Sequence, residues 1–489
     1  MKNFITKYPV FLYLLPVFFV LHGYTENYNL VPFQDAVILT AYYIGSIILL
    51  LLIFKLVFRN FTKAALFAFI LLSYHLFFGT VHDTLKKIIP DSFLTKYIFI
   101  LPFSLIVLLF LFIVIKKNIA SLTKVNLYLN MLFLLLVTLD AVQFCIKIIA
   151  DHNKVSKLPG SLTSCENCPK PDVYLIIADE YAGQTELSDL FQFNNTPFLN
   201  QLVARNFYTI PESTSNYNYT PFSMASILNM DYLNLENSYR QKNDLAYSYQ
   251  VIKESKLIQF FKNTGYQFYN YSIFDFEGQP APINMGLLPV KTKLITSQTF
   301  LSRINRDLSY HLVTFFKSKK EIRKRVYSNR INNELFYKST IEISKKDIPK
   351  PKFVYTHIEM PHYPYYYDKN GVEQPFEKLE EGYQINKSAY IEYLQYSNTK
   401  LLELVDHILK NSKKPPIIIL MGDHGFRHFT EKVEGKYYFL NLTSLHFPDK
   451  NYEKINDSLS GVNLFRLILN KQFQQHLPYL KDSTSYLKD

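Results

Sequence analysis

Along residues 1–150 the hydrophobic positions come in long unbroken runs. Five such runs stand out: Tyr8–His22, Ala36–Phe58, Ala64–Phe78, Tyr97–Ile115 and Val125–Ile149. A helix needs about 20 apolar residues to cross a ~30 Å hydrocarbon core. The second, fourth and fifth runs meet that length, and the first and third are shorter. The first is not read as a signal peptide, because no small-residue cleavage site follows it. The pattern predicts five transmembrane helices. Basic residues orient them: Lys2 and Lys7 precede the first run, Lys55, Arg59 and Lys63 lie between the second and third, and Lys116, Lys117 and Lys124 lie between the fourth and fifth. The loop Gly23–Asp35 holds Glu26 and Asp35 but no Lys or Arg, whereas Lys86, Lys87 and Lys96 are a mild counter-signal. The positive-inside rule then places the N-terminus in the cytoplasm, and five crossings leave everything beyond residue 150 outside. Asp140, inside the fifth run, is costly in lipid. It fits either a substrate path or a hydrogen-bonded structural role.

Beyond residue 170 the pattern changes to short apolar runs alternating with helical stripes. Val173–Ala178, Tyr266–Tyr271, Phe353–Ile358 and Ile417–Met421 read as strands. Lys387–Lys410 reads as a long helix, with Tyr390, Leu394, Leu401, Leu402, Val405 and Ile408 as its apolar stripe. Thr196 and Thr220 each precede a Pro and read as N-caps of helices that begin with it. Strand–helix alternation predicts an α/β domain with a largely parallel sheet. The expected organisation is a transmembrane domain at 1–150, a turn-rich linker at 151–170, and an extracytoplasmic domain at 171–489.

Charge sharpens the division. Residues 1–150 carry 12 Lys and Arg and 5 Asp and Glu, whereas residues 151–489 carry 41 and 36. The net charge of +12 does not point to nucleic acid, since no basic–aromatic motif accompanies it. Three Cys exclude a disulfide-rich scaffold. Cys165 and Cys168 lack both a thioredoxin-like setting and a second ligand pair, so they read as a small local disulfide outside the cytoplasm.

Candidate chemistry gathers at the strand ends, where open α/β sheets carry function. The first strand ends in Asp179-Glu180, another carries His357-Ile-Glu359-Met-Pro-His362, and a third ends in Gly422-Asp423-His424-Gly425. Carboxylates with imidazole suit a divalent metal, Zn or Mn. Thr220, at the head of a helix, sits where free amides favour an anion. A nearby metal would turn its hydroxyl into a nucleophile. Read from the residues alone, the same text fits an ordinary cap, worth about 1 kcal/mol, somewhat better.

The order of these elements resembles the alkaline phosphatase/sulfatase superfamily. It is most similar to the membrane-anchored branch that includes lipoteichoic acid synthases and lipid A phosphoethanolamine transferases. The resemblance implies Thr220 as catalytic nucleophile. It implies Asp179, Thr220, Asp423 and His424 as metal ligands, with Glu180 as a further ligand or the cap of the next turn. His362 would meet the substrate, with His357 and Arg427 beside it. Transfer of a phosphoethanolamine or phosphoglycerol head group is implied, from a membrane phospholipid to an envelope lipid or glycan through a Thr-linked intermediate. The site would lie on the outer face of the cytoplasmic (inner) membrane. The alternatives are a phosphodiesterase or sulfatase-like hydrolase using the same nucleophile, and a non-catalytic envelope protein. Thr220-Pro-Phe-Ser-Met has neither the Cys or Ser nor the Arg of the formylglycine pattern, which argues against ordinary sulfate-ester hydrolysis.

Overall fold

The structure is a computed structural model. It describes all residues except 1–5, 29–30, 90–91, 118–121, 153–161, 164, 166–167, 236–241, 284–291, 306, 309–322, 324–325, 380–381, 454 and 489. The chain forms two compact units. One comprises Met1–Val155 with Asn284–Lys319, and the other Ser156–Ile283 with Lys320–Asp489.

The first unit is helical: α1 (Phe11–Glu26), α2 (Phe33–Phe58), α3 (Phe61–Ile88), α4 (Tyr97–Lys117) and α5 (Thr123–His152). The last four contain stretches long and apolar enough to cross a membrane, whereas α1 is a shorter apolar helix of 16 residues. Its place in the bundle comes from a polar seam with α5. Asn126 Nδ2 donates to the carbonyls of Thr6 (2.9 Å) and Tyr8 (3.2 Å), and the Phe11 amide donates to Asn130 Oδ1 (2.6 Å). Further along, Asp140 Oδ1 lies 3.1 Å from His22 Nδ1, and Lys147 Nζ donates to the Thr25 carbonyl at 2.5 Å. Low numbers pair with low and high with high, so α1 and α5 run parallel. In a membrane, hydrogen bonds and close packing between helices replace the hydrophobic drive.

Helix α3 runs well beyond the apolar run ending at Phe78. Hydropathy falls at Gly79, His82 and Asp83, but their polar groups find partners. His82 Nε2 bonds the Thr95 carbonyl (2.7 Å), and the Gly79 amide donates to the Gln298 carbonyl (2.8 Å). Gln298 belongs to Asn284–Lys319, which interrupts the sequence of the second unit and packs in the first.

The second unit is built on a six-stranded sheet in the order β2-β7-β6-β1-β5-β4. The strands are β1 (Val173–Ala178), β2 (Tyr208–Thr209), β4 (Gln267–Tyr271), β5 (Lys352–Ile358), β6 (Ile417–Gly422) and β7 (Thr443–His446), and a short β3 (Glu212–Thr214) pairs elsewhere with β8 (Ser458–Ser460). β1 pairs in parallel with β5 and β6, and β4 with β5, whereas β7 runs antiparallel to β6 and β2. The sheet is thus mixed and mostly parallel, and its central strand is buried on both faces as a continuous apolar run requires. Leu175 and Ile177 face one core, which also takes Met224, Ile227 and Leu228 of α6 (Thr220–Asn229). Tyr174 and Ile176 face the other, filled by Tyr390, Leu394, Leu401, Val405 and Ile408 of α8 (Lys387–Asn411). α7 (Ser328–Lys345) packs between α8 and β5.

The expected linker at 151–170 lies partly outside the described residues. Its described apolar members do not form a free connection: Leu162, Cys165 and Cys168 are buried in the core of the second unit. A disulfide joins the two cysteines.

Candidate active site

Register brings the chemistry together. Ala178, the last residue of β1, stands opposite Ile358 of β5 and Gly422 of β6. The residues that follow, Asp179, Glu359 and Asp423, therefore emerge side by side at the carboxyl edge of the sheet. Asp179 and Asp423 are both buried. Asp423 Oδ1 accepts the amides of Glu180 (2.8 Å) and His424 (2.9 Å), while its Oδ2 is buried with no partner.

Thr220 comes to this edge from α6. The helix begins one residue earlier than the Pro221 pattern implies: Tyr219 is the N-cap and Thr220 the first helical residue. Its hydroxyl therefore does not cap. Oγ1 lies 3.4 Å from Asp179 Oδ1 and 3.3 Å from His424 Nε2. Neighbouring hydroxyls are committed elsewhere. Ser213 bonds Asn441 and Thr443, Ser215 bonds the Tyr217 carbonyl, Ser223 bonds the Asp423 carbonyl (2.6 Å), and Ser226 bonds the Asp231 carbonyl. Thr220 is the half-buried member of this group and faces the acids and imidazoles.

His424 Nδ1 lies 2.7 Å from the Gly425 carbonyl. A carbonyl only accepts, so Nδ1 carries the proton and Nε2 presents a lone pair to the Thr220 hydroxyl; Asp423 Oδ2 lies 3.3 Å from the same nitrogen with no proton between them. His357, expected beside the substrate, lies instead wholly buried behind Asp179. Tyr355 and His357 share one face of β5 by alternation. The Tyr355 hydroxyl meets His357 Nδ1 at 2.9 Å, and Nε2 meets Asp179 Oδ2 at 3.3 Å. Burial disfavours the charged form of His357, but Asp179 outweighs it and raises its pKa. Burial likewise opposes ionisation of Asp179, yet His362 and His357 hold its carboxyl well below the usual range. Asp423 is pushed up by burial and by Asp179.

A second cluster adjoins the first. Glu180 is fully buried, and its Oε1 accepts the Arg427 amide (3.1 Å) beside the Arg427 guanidinium (3.8 Å). His428 Nε2 lies 3.5 Å from Glu180 Oε1, and His362 Nε2 lies 4.0 Å from Glu180 Oε2. The Arg427 guanidinium also stacks on the Tyr219 ring, 4.4 Å from its centroid, one residue from Thr220. His362 is held by its amide to the Asp179 carbonyl (3.1 Å). Burial lowers its pKa, but Asp179 and Glu180 overcome this and raise it. Glu359 bonds Asn329 and Asn333 of α7, and burial followed by Asp179 pushes its pKa up to about 7.

The donor set fits a divalent cation. Asp179, His357 and Asp423 offer ligand atoms all within 4.8 Å of one another, as do Glu180, His362 and His428. Two adjacent buried carboxylates and the orphaned Asp423 Oδ2 are the environment a cation relieves. All eight residues singled out in the sequence thus fall in these two adjoining clusters. His428 was missed, although it stands in the same Asp423–His428 run. Ser223 and Tyr355 were not assigned to the site's support, because only the fold shows which atoms they bond.

Residues 171–464, more than half of the chain, match the family model described as Sulfatase. No curated protein matches the chain. Among solved structures, the chain is similar to the C-terminal periplasmic domain of EptC from Escherichia coli in complex with Zn, at 13% identity over 67% of this chain and 94% of that one, with a TM-score of 0.39. It is similar to the C-terminal periplasmic domain of the phosphoethanolamine transferase EptC from Campylobacter jejuni, at 13% identity, 64% and 92% coverage and a TM-score of 0.36. The putative sulfatase yidJ from Bacteroides fragilis gives 14% identity, 66% and 78% coverage and a TM-score of 0.40. On the match over residues 171–464, with the strand-end acids and imidazoles inside it, the chain belongs to the sulfatase family.

Proposed function

We propose that this chain is a membrane-embedded phosphotransferase in which Thr220 carries a phospholipid head group to an envelope lipid or glycan. The observation that carries the reading is the placement of the Thr220 hydroxyl. It is free of capping, at a helix N-terminus, 3.3–3.4 Å from His424 and Asp179. Asp179, Thr220, Asp423 and His424 would hold a divalent metal, Zn or Mn, with His357 supporting Asp179 from behind. A metal held there would lower the pKa of the hydroxyl and neutralise charge on a phosphate oxygen. Thr220 loses its proton to solvent at the half-buried site, and Oγ1 forms a bond to phosphorus as the bond from phosphorus to the diacylglycerol oxygen breaks. Arg427, set beside Tyr219, faces the added negative charge. His362, whose protonated form the acids around it favour, gives a proton to the departing oxygen. An acceptor hydroxyl then gives its proton to the now neutral His362 and attacks the same phosphorus, and Thr220 takes a proton back from solvent as its ester bond breaks.

The helical unit supports transfer from lipid. The parallel seam of α1 with α5 supports five crossings in alternating sense, and the basic residues before α1 and between α2 and α3 and α4 and α5 favour an N-terminus in the cytoplasm and a second unit on the outer side of the inner membrane. Mass spectrometry of the purified full-length protein tests the reading. A head-group adduct on Thr220 that a labelled acceptor discharges is the expected result. Label released only as free head group would make the protein a hydrolase, and an adduct on another residue would remove Thr220 from the chemistry.

A further inference from the structure

The segment 292–308 belongs in sequence to the sulfatase-family half and in space to the helical unit. It begins with a helical turn, Lys293–Thr296, and continues through Gln298, Phe300 and Arg303. Its attachment to the helices is built at backbone level in two places. A Cβ added to Gly23 of α1 would come within 2.7 Å of Ile295 Cγ2, and one added to Gly79 of α3 within 2.5 Å of the Gln298 carbonyl oxygen. Glycine at both positions is what lets the segment lie this close. Ile295 is buried in the hydrophobic core of the bundle. Phe300 packs between Tyr74 and Phe78, with ring centroids 5.2 and 5.1 Å away.

A buried polar knot completes the attachment. Arg303 is 4% exposed. Its guanidinium pairs with Asp83 of α3 and donates to Gln298 Oε1 (2.8 Å) and the Gly79 carbonyl (3.3 Å). Asp307 in turn accepts from the Tyr97 hydroxyl of α4 at 2.5 Å. A buried guanidinium stripped of such partners is strongly unfavourable, so the segment and α3 require each other. The contacts fall at the C-terminal ends of α1 and α3 and the N-terminal end of α4. These ends face one side of the bundle.

We infer that 292–308 is a second tether: a docking element, separate from the chain connection after α5, that fastens the sulfatase-family half to the helical unit. Its partner surface is formed by Gly23, Gly79, Asp83 and Tyr97. The chain passes between the two units three times, and the docked segment lies in the sequence between the second and third passages. The inference is independent of the catalytic reading and stands or falls without it.

The test uses the full-length protein in membranes, with a specific protease site inserted between Lys157 and Leu158. After cleavage and washing, the fragment from residue 158 to the C-terminus stays in the membrane fraction. The same cleavage in Ile295→Ser/Phe300→Ser or in Arg303→Ala releases it, while the uncleaved variants remain in the membrane. The segment variants leave all five helices unchanged, so release reports lost docking. Gly79→Leu, made on the other side of the interface, releases it as well. Release from the unsubstituted protein overturns the inference. So does retention in the Ile295→Ser/Phe300→Ser variant, which would place the attachment elsewhere.

Discussion

At Thr220 the outcome turns on which hydrogen bonds a hydroxyl is free to make. Its proline neighbour made it legible as the start of a helix, and the same feature left capping and catalysis undecided. The fold separates them by shifting the helix one residue, so that the cap falls to Tyr219 and the hydroxyl points at Asp179 and His424. Thr220→Ala is expected to abolish the head-group adduct while Asp179, Asp423 and His424 keep the metal bound, as intact-mass and metal analysis would show. Thr220→Ser keeps part of the activity. Asp423→Asn removes the charge of the carboxylate that carries the orphaned oxygen and should weaken metal affinity at least roughly tenfold, read by titration with a chelator. Metal retained at full affinity in that variant would exclude Asp423 as a ligand. The acids and imidazoles were legible because strand ends are short and polar after apolar runs. The burial of His357 was not, because it depends on Tyr355 and Phe274 closing over it.

At the scale of elements, β1, β5, β6 and α8 follow the hydrophobic pattern within a residue or two, since each buries a regular apolar set. The antiparallel β7 and the two-residue β2 carry too little pattern to be read. Helix α3 shows a different limit. Hydropathy marks where a helix meets lipid, and the helix continues where its polar face meets protein. The loop after β6 is tight for a further reason. A Cβ on Gly425 would meet the Tyr437 carbonyl at 2.4 Å and Glu186 Oε2 at 2.6 Å. Gly425→Ala should therefore cost about 1–3 kcal/mol, seen as a lower thermal midpoint. It should also loosen metal binding, because the Gly425 carbonyl orients His424. An unchanged midpoint would show that the loop yields.

For the whole molecule, the contrast between an apolar helical region and an α/β region was legible from charge density and run length. The excursion at 292–308 was not, because a short mixed segment with one buried Arg has no periodicity to betray it. It bears on any attempt to isolate the second half. A fragment from residue 171 to 489 would expose Ile295 and Arg303, which the intact chain buries, together with the half-buried Phe300, and is expected to self-associate. Replacing 284–319 with a short Gly-Ser connection should give a monomer by light scattering with the same far-ultraviolet spectrum. Self-association of the shortened fragment would place the exposed surface elsewhere. The seam between α1 and α5 has a consequence of another kind, in time. The Phe11 amide and its acceptor Asn130 are 119 residues apart, so the partner is made last. At about 5–20 residues per second, the first helix waits roughly 6–24 s for it. During synthesis the 16-residue first helix therefore exists for that interval without its polar seam, and the bundle closes only when α5 is made.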